Sequence, residues 1–285
     1  MPELPEVETV RRGLTPVLVG RRMARVTVRR GDLRQPIVPD FARRLEGRRV
    51  LALDRRSKYL IVGLEGGLSC IIHLGMSGRL RWFAGTRPPF ETHDHVEFEI
   101  APDGAGNRAC LRFCDPRRFG LMALAETSGL AGHPLLAALG VEPLDEGFTG
   151  AKLASLLARR KTTVKSALMD QRIVAGLGNI YVCESLFWAG ISPKRTARTV
   201  GVRRARRLVT AIRRVLKEAI AAGGASLRDH RQPSGELGYF QHRFAVYGRM
   251  GERCPGCVCE VAKTGGVRRI GQGGRATFYC STKQR

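Results

Sequence analysis

The chain has 285 residues, with 49 Lys and Arg against 25 Asp and Glu, a net charge of +24, and 43 % hydrophobic residues. That hydrophobic share excludes a disordered basic tail and leaves a folded protein with a polyanion for a partner: ribosomal, DNA-binding and RNA-binding proteins all fit. No apolar run approaches 18 residues, no lipidation signal is present, and the first residues lack the basic-then-apolar order of a secretory signal. No membrane partner is therefore expected, and the cytoplasm is the expected compartment.

The length predicts two domains. Residues 1–20 read as a helix, with Val7, Val10, Leu14 and Val17/Leu18 at helical spacing and Arg11 and Arg12 facing away. The helix is led by Met1-Pro2-Glu3-Leu4-Pro5-Glu6. Removal of Met1 would expose a secondary amine, and an α-amino group titrates near pH ~8, so part of it is unprotonated at neutral pH. Such an amine attacks an aldehyde-like carbon, and proline's adduct is a cationic iminium that promotes elimination. Glu3 and Glu6 stand close by as proton donors or acceptors. The same residues also suit a plain helix start, since proline and acids are both favoured in the first turn.

From about 21 to 126 the pattern changes to short β-like runs: Val50–Leu53, Tyr59–Leu64, Leu68–His73, Arg79–Phe83, His95–Ile100, Ala109–Phe113 and Phe119–Ala123. Glycines and prolines punctuate them, which predicts a sandwich or barrel. Two segments, Arg55-Arg56-Ser57-Lys58-Tyr59-Leu60 and Asp115-Pro116-Arg117-Arg118-Phe119-Gly120, set cations beside an aromatic. Phe119 suits either a wedge between bases or a core position beside a solvated turn. His73-Leu74-Gly75-Met76-Ser77-Gly78 places a Met on a glycine-rich turn, fit for the core or for the gap left by a flipped base.

A Gly/Pro-containing connection spans about 127–150, and residues 151–222 turn helical, including a very basic helix at Val202–Ala222. Gly176 and Gly178 interrupt an apolar segment just before a new helix near Ile180. Backbone N–H groups there, with the Asn179 side chain, can hold a phosphate. Lys165 either contacts phosphate or is solvated. A loop, Gly223–Gly238, leads to a small unit at 239–285.

Cys70, Cys110, Cys114 and Cys183 are scattered among apolar residues and read as small core residues. Cys254, Cys257, Cys259 and Cys280 crowd the end of the chain and suggest metal before disulfide. Cys254-Pro-Gly-Cys257 is a standard first knuckle for tetrahedral zinc. The second, Cys280-Ser-Thr-Lys283, carries lysine where cysteine is expected, after an unusually long Val258–Gly266 insert. Cys259 is then the candidate fourth ligand, with weak or absent metal as the alternative. Gly273-Gly274-Arg275-Ala276-Thr277 reads as a hairpin turn presenting Arg275 to a groove or a phosphate.

Taken together, Pro-Glu-Leu-Pro-Glu-Val-Glu-Thr at 2–9, Ser-Lys-Tyr-Leu at 57–60, His-Leu-Gly-Met-Ser-Gly at 73–78, Asp-Pro-Arg-Arg-Phe-Gly at 115–120, Gly-Leu-Gly-Asn-Ile-Tyr at 176–181 and Gly-Arg-Ala-Thr-Phe-Tyr-Cys at 274–280 make the chain resemble the bacterial formamidopyrimidine-DNA glycosylases. The match runs in order over almost the whole chain. The sister family acting on oxidised pyrimidines usually begins Pro-Glu-Gly-Pro-Glu, so Leu4 favours the purine-directed branch.

The resemblance implies an α+β fold: an N-terminal helix plus β-sandwich catalytic domain (1–135), a helix-two-turn-helix DNA-binding domain (150–238), and a zinc-finger-like ribbon (239–285). It implies a monomeric, nucleoid-associated base-excision repair enzyme that binds damaged double-stranded DNA in a basic cleft. Excision of 8-oxoguanine and formamidopyrimidines would be followed by β,δ-elimination at the abasic site. By the same resemblance Pro2 is the nucleophile at C1′, Glu3 the acid/base that opens the sugar, and Lys58 a phosphate ligand beside the lesion. Glu6 supports the N-terminal geometry. Met76, Arg117 and Phe119 fill the gap, with Arg117 facing cytosine. His93, Lys165, Asn179 and Arg275 contact phosphates, and Tyr239 closes the lesion-binding loop. One Zn²⁺ is expected on Cys254, Cys257, Cys259 and Cys280 at altered geometry. Three other readings remain open: a pyrimidine-lesion glycosylase, a non-enzymatic nucleic-acid binder, and a ribosomal or other RNA-associated protein.

Overall fold

The computed structural model describes residues 2–226, 233 and 235–285, and the chain divides into two compact units, Met1–Ala137 with Ala222–Tyr239, and Ala138–Ala221 with Phe240–Arg285. In the first unit, α1 (Leu4–Leu18) accommodates Pro5 in its first turn, where no intrahelical donor is required. It buries Val7, Val10, Leu14 and Leu18 against the strands, as their spacing predicts. Eight strands follow: β1 (Met23–Val28), β2 (Val50–Arg56), β3 (Tyr59–Leu64), β4 (Leu68–His73), β5 (Arg79–Ala84), β6 (Asp94–Ile100), β7 (Ala109–Cys114) and β8 (Leu121–Glu126), with a short α2 (Phe41–Leu45) after β1. They form two antiparallel four-stranded sheets, ordered β1-β6-β7-β5 and β2-β3-β4-β8. One apolar core joins α1, α2 and both sheets.

Two elements were not expected from the sequence. β1 has an irregular register against β6 between Met23 and Arg25, which blurs its alternation. In α2 only Phe41 and Leu45 point inward, too few for a helical period. The last strand begins at Leu121 rather than Phe119, because Arg118 adopts a left-handed φ of 55° and Phe119 is exposed.

The second unit contains α3 (Gly150–Leu157), α4 (Val164–Met169), α5 (Asn179–Ala189), α6 (Val202–Ala221), a short α7 (Val261–Thr264) and the antiparallel hairpin β9 (Val267–Gln272) and β10 (Arg275–Cys280). α5 is buried along almost its whole length, packing on α6, α4 and β10. Its Glu184 carboxylate accepts from the N–H groups of Ala245, Val246 and Tyr247 at 2.8, 3.0 and 2.8 Å, tying the segment before the ribbon to the helix.

This partition differs from the three-part division expected. The ribbon belongs with the helices, because Cys183 and Phe187 of α5 share a core with Val267 and Cys280. The described residues of 222–239 belong with the sandwich: Trp82 N donates to Pro233 O at 3.1 Å, and Ala225 N donates to Glu6 Oε1 at 2.8 Å. Among the described residues no helix is long and apolar enough to cross a membrane.

Candidate nucleic-acid and catalytic site

Pro2 and Glu3 are both buried at the start of α1. Glu6, one turn on, accepts from Glu3 N at 2.9 Å through Oε2 and from Ala225 N at 2.8 Å through Oε1. Its carboxylate thus bridges the helix start to a segment more than 200 positions away. Gly224 makes this approach possible, since it has a φ of +82° and a Cβ there would lie 3.1 Å from the Glu6 side chain. Tyr239, 66 % exposed, closes the segment by donating its N–H to Ala222 O at 2.9 Å. The rest of the expected lesion loop, 227–232 and 234, lies outside the described residues.

Lys58 sits on the two-residue turn joining β2 to β3, where Arg56 pairs with Tyr59. Its neighbour Ser57 has a φ of 56°, a conformation that glycine normally supplies in such turns. Ser57 and Arg118 are the two positive-φ residues other than glycine among the described residues, and each adjoins a predicted site residue. Strain of this kind concentrates where a fold must aim a particular side chain. Nearby, burial together with the charges of Lys58 and Arg34 pushes the His73 imidazole down to about 4. A neutral ring is what its contacts require, because Nδ1 accepts from Gly75 N at 2.9 Å.

Asp115, fully buried, joins the two glycine-containing turns. Its Oδ1 accepts from Ser77 Oγ at 2.5 Å and its Oδ2 from Gly120 N at 2.7 Å, while Ser77 Oγ in turn accepts from Arg117 N at 3.2 Å. The turns also touch directly: a Cβ on Gly75, whose φ is +65°, would collide with the carbonyl carbon of Phe119. What the stitch presents is an exposed trio, Met76, Arg117 and Phe119, with the Arg117 guanidinium 4.8 Å from the Phe119 ring centre. His93, also exposed, joins this group through its carbonyl, which accepts from Asp115 N at 3.0 Å.

In the second unit, Lys165 of α4, Asn179 at the start of α5 and the β9–β10 turn come together. Lys165 Nζ reaches Gln272 O at 3.4 Å, and Asn179 Nδ2 donates to Ala276 O at 2.8 Å. Arg275 is exposed at the hairpin turn. Burial lowers the Lys165 ammonium from its usual range, and the Arg275 charge adds to the effect. The buried Asn179 Oδ1 has no hydrogen-bond partner.

The four C-terminal thiols also converge. All four Sγ atoms lie within 4.8 Å of one another, with Cys254–Cys259 at 3.5 Å and Cys257–Cys280 at 3.8 Å. Tetrahedral ligation at the Zn–S bond length of ~2.3 Å sets neighbouring sulfurs ~3.8 Å apart, so the donor set fits zinc in number, type and spacing. The expectation that Lys283 leaves the site deficient is corrected: Cys259 supplies the fourth thiol, and position 283 contributes through its backbone. Burial acts to raise the Cys280 thiol, yet the N–H groups of Lys283 and Thr282, with the neighbouring thiols, draw it below its usual value. The Lys283 ammonium turns away, 4.3 Å from the Phe187 ring centre and 4.9 Å from that of Trp188. Cys70, Cys110, Cys114 and Cys183 are buried, and burial pushes the Cys70 thiol up to about 12.

Sequence reasoning missed Asp115 and Ser77 as the residues that hold the trio in place. Asp115 has an acidic side chain ahead of a proline and five positions before Gly120, an Asx-type turn signal that was available.

Comparison with known proteins identifies the family. Residues 1–122 match the formamidopyrimidine-DNA glycosylase N-terminal domain, and residues 139–231 match the H2TH domain of the same glycosylases. A formamidopyrimidine-DNA glycosylase of Rhodospirillum rubrum is 58 % identical over 287 residues, covering 100 % of both chains. The crystal structure of MutM (Fpg) from Thermus thermophilus is 41 % identical with a TM-score of 0.84, covering 99 % of this chain and 98 % of that one. Wild-type Lactococcus lactis Fpg (MutM), solved with DNA containing N7-benzyl-Fapy-dG, is 32 % identical with a TM-score of 0.88 and full coverage of both chains, 100 % each.

Proposed function

Since the chain belongs to the formamidopyrimidine-DNA glycosylase family and is a DNA glycosylase of base-excision repair, we propose that it excises oxidised purines and cleaves the resulting abasic site through Pro2. Abasic-site lyase activity is typical of the family. Leu4 supports the purine-directed branch.

Once Met1 is removed, the Pro2 nitrogen attacks C1′ and the damaged base leaves with the electrons of the glycosidic bond. Glu3 protonates the ring oxygen as the sugar opens, and the adduct becomes an iminium. That cation accepts the electron pair released when the C2′ proton departs, so the 3′ phosphate leaves by β-elimination. A second elimination releases the 5′ phosphate, and water frees Pro2. The observation that carries this reading is the buried Pro2–Glu3 pair on a helix start held by Glu6.

Extruding the lesion costs a few kcal/mol, and the exposed Met76, Arg117 and Phe119 have the shape and polarity to replace it, with Arg117 facing the orphaned cytosine. Lys58, His93, Lys165, Asn179 and Arg275 bind phosphates around the lesion. A phosphate beside Lys165 would offset the cost of holding that ammonium in a buried place. Tyr239 anchors the loop that closes on the base. Zn²⁺ held by Cys254, Cys257, Cys259 and Cys280 would lock the hairpin that carries Arg275. The enzyme acts as a monomer at the nucleoid.

Borohydride trapping on a duplex holding one 8-oxoguanine opposite cytosine tests the chemistry. Intact protein should give a stable cross-link mapping to residue 2, and Pro2→Gly should give little or none. Binding without any cross-link would make this chain a lesion binder instead.

A further inference from the structure

The steps above leave the outer face of the longest helix unused. α6 carries seven Lys and Arg and a single acid, Glu218. Arg213 is spent on the chain itself, donating to the carbonyls of Pro143, Asp145 and Glu146. Arg214 pairs with Glu218 at 2.8 Å and lies over Trp188. By contrast, Arg203, Arg204, Arg207 and Lys217 are exposed and make no hydrogen bond or ion pair among the described residues.

These four cations work against their own helix. Three stand in its first two turns, which contain no acid in the opening turn and where the macrodipole favours anions. Arg203 and Arg207 are a like-charge pair four residues apart, and Arg204 and Arg207 one three apart; both repel. Nothing among the described residues offsets the repulsion, so an anionic partner is the natural complement.

That partner is not the strand held at the Lys165 cluster. α6 turns Leu208, Ile212, Val215, Leu216 and Ala219 inward and packs on α5 and α3. α5 is buried between α6 and the elements that carry Lys165 and Arg275, namely α4 and β10. The exposed face of α6 therefore looks away from that cluster. From Arg203 to Lys217 is about 21 Å, over which duplex DNA carries about a dozen phosphate charges.

We propose that this face of α6 holds a second segment of undamaged duplex DNA while the first is being searched, so that the enzyme passes between segments without release. The proposal rests on the reading of DNA as partner, and duplex segments are the polyanion concentrated around an enzyme already bound to DNA.

The test is the rate at which protein leaves a fluorescent undamaged duplex as unlabelled duplex is added. Direct transfer makes the wild-type rate rise in proportion to competitor concentration. A variant carrying Arg203→Gln, Arg204→Gln, Arg207→Gln and Lys217→Gln should lose at least about tenfold of that slope, while its single-turnover excision at saturating protein stays within about twofold. A wild-type rate independent of competitor overturns the proposal, as does an unchanged slope in the variant. Acceleration by structured RNA or anionic vesicles, but not by duplex, also overturns it. Failure to bind a lesion-containing duplex in a separate titration would instead sink the DNA reading, and the proposal with it.

Discussion

Removing the Asp115 carboxylate should break the stitch beneath the exposed Met76, Arg117 and Phe119, and the size of the effect follows from its surroundings. Asp115 is 0 % exposed and Ser77 3 %, so water is absent from both ends of the bond between them. Gly120 N donates to the same carboxylate and is buried as well. A hydrogen bond to a charged acceptor contributes about 1.5–3 kcal/mol net, and a buried donor left stranded costs about 1–3 kcal/mol. Asp115→Ala strands both Gly120 N and the Ser77 hydroxyl hydrogen, because Arg117 N only donates to Ser77 Oγ and cannot accept in its place. The expected loss is therefore about 3–5 kcal/mol, a large part of the 5–15 kcal/mol typical of a domain. Asp115→Asn keeps one oxygen for Gly120 N and turns its NH₂ toward Ser77 Oγ, which can accept, so it should cost only about 1–2 kcal/mol. Urea midpoints measure both, and single-turnover excision opposite cytosine should fall in the same order as Met76, Arg117 and Phe119 drift apart. An alanine variant within about 0.5 kcal/mol of wild type, or an asparagine variant worse than alanine, would refute the reasoning.

Three further outcomes are expected. Because His73 is held neutral down to about 4, the unfolded chain binds its proton first as pH falls from about 6.5; stability should decline between those values by at most about 3 kcal/mol, and His73→Gln should flatten that part of the profile in urea titrations. Zinc content of purified protein should drop well below one per chain in Cys259→Ser but stay near one in Lys283→Ala, which loses only its ring contacts, about 1 kcal/mol, and shifts Trp188 fluorescence. Glu6→Gln exchanges one acceptor oxygen for a donor and leaves either Glu3 N or Ala225 N facing it, so trapping at residue 2 should slow while binding of undamaged duplex, measured by anisotropy, stays unchanged.

Most of the sandwich was legible because β3 and its neighbours are bounded by turn residues and filled with β-branched and aromatic side chains. β1 and α2 were not, since each relies on only a few inward residues and on tertiary partners. Lys58, Met76, Phe119 and Asn179 stood out because unusual residue types sit on turns, and side-chain type is written in sequence. Asp115 and Glu6 act through bonds to partners far along the chain, and no local pattern encodes a partner 38 or 219 positions away. Lys283 misled for a related reason: a motif letter reports a side chain, whereas position 283 contributes an amide that any residue but proline provides.

The bridge from Glu6 to Ala225 also sets a timetable. Residue 2 is synthesised long before Ala225, and the contact that steadies its helix start spans 219 positions and waits for that segment to be made. Local pairings such as β2 with β3 form early, while a closure of this length comes late in folding. A ribosome-bound fragment ending before Ala225 therefore lacks this hold on its first helix, and the chemistry proposed for Pro2 should become available only once that segment has been made.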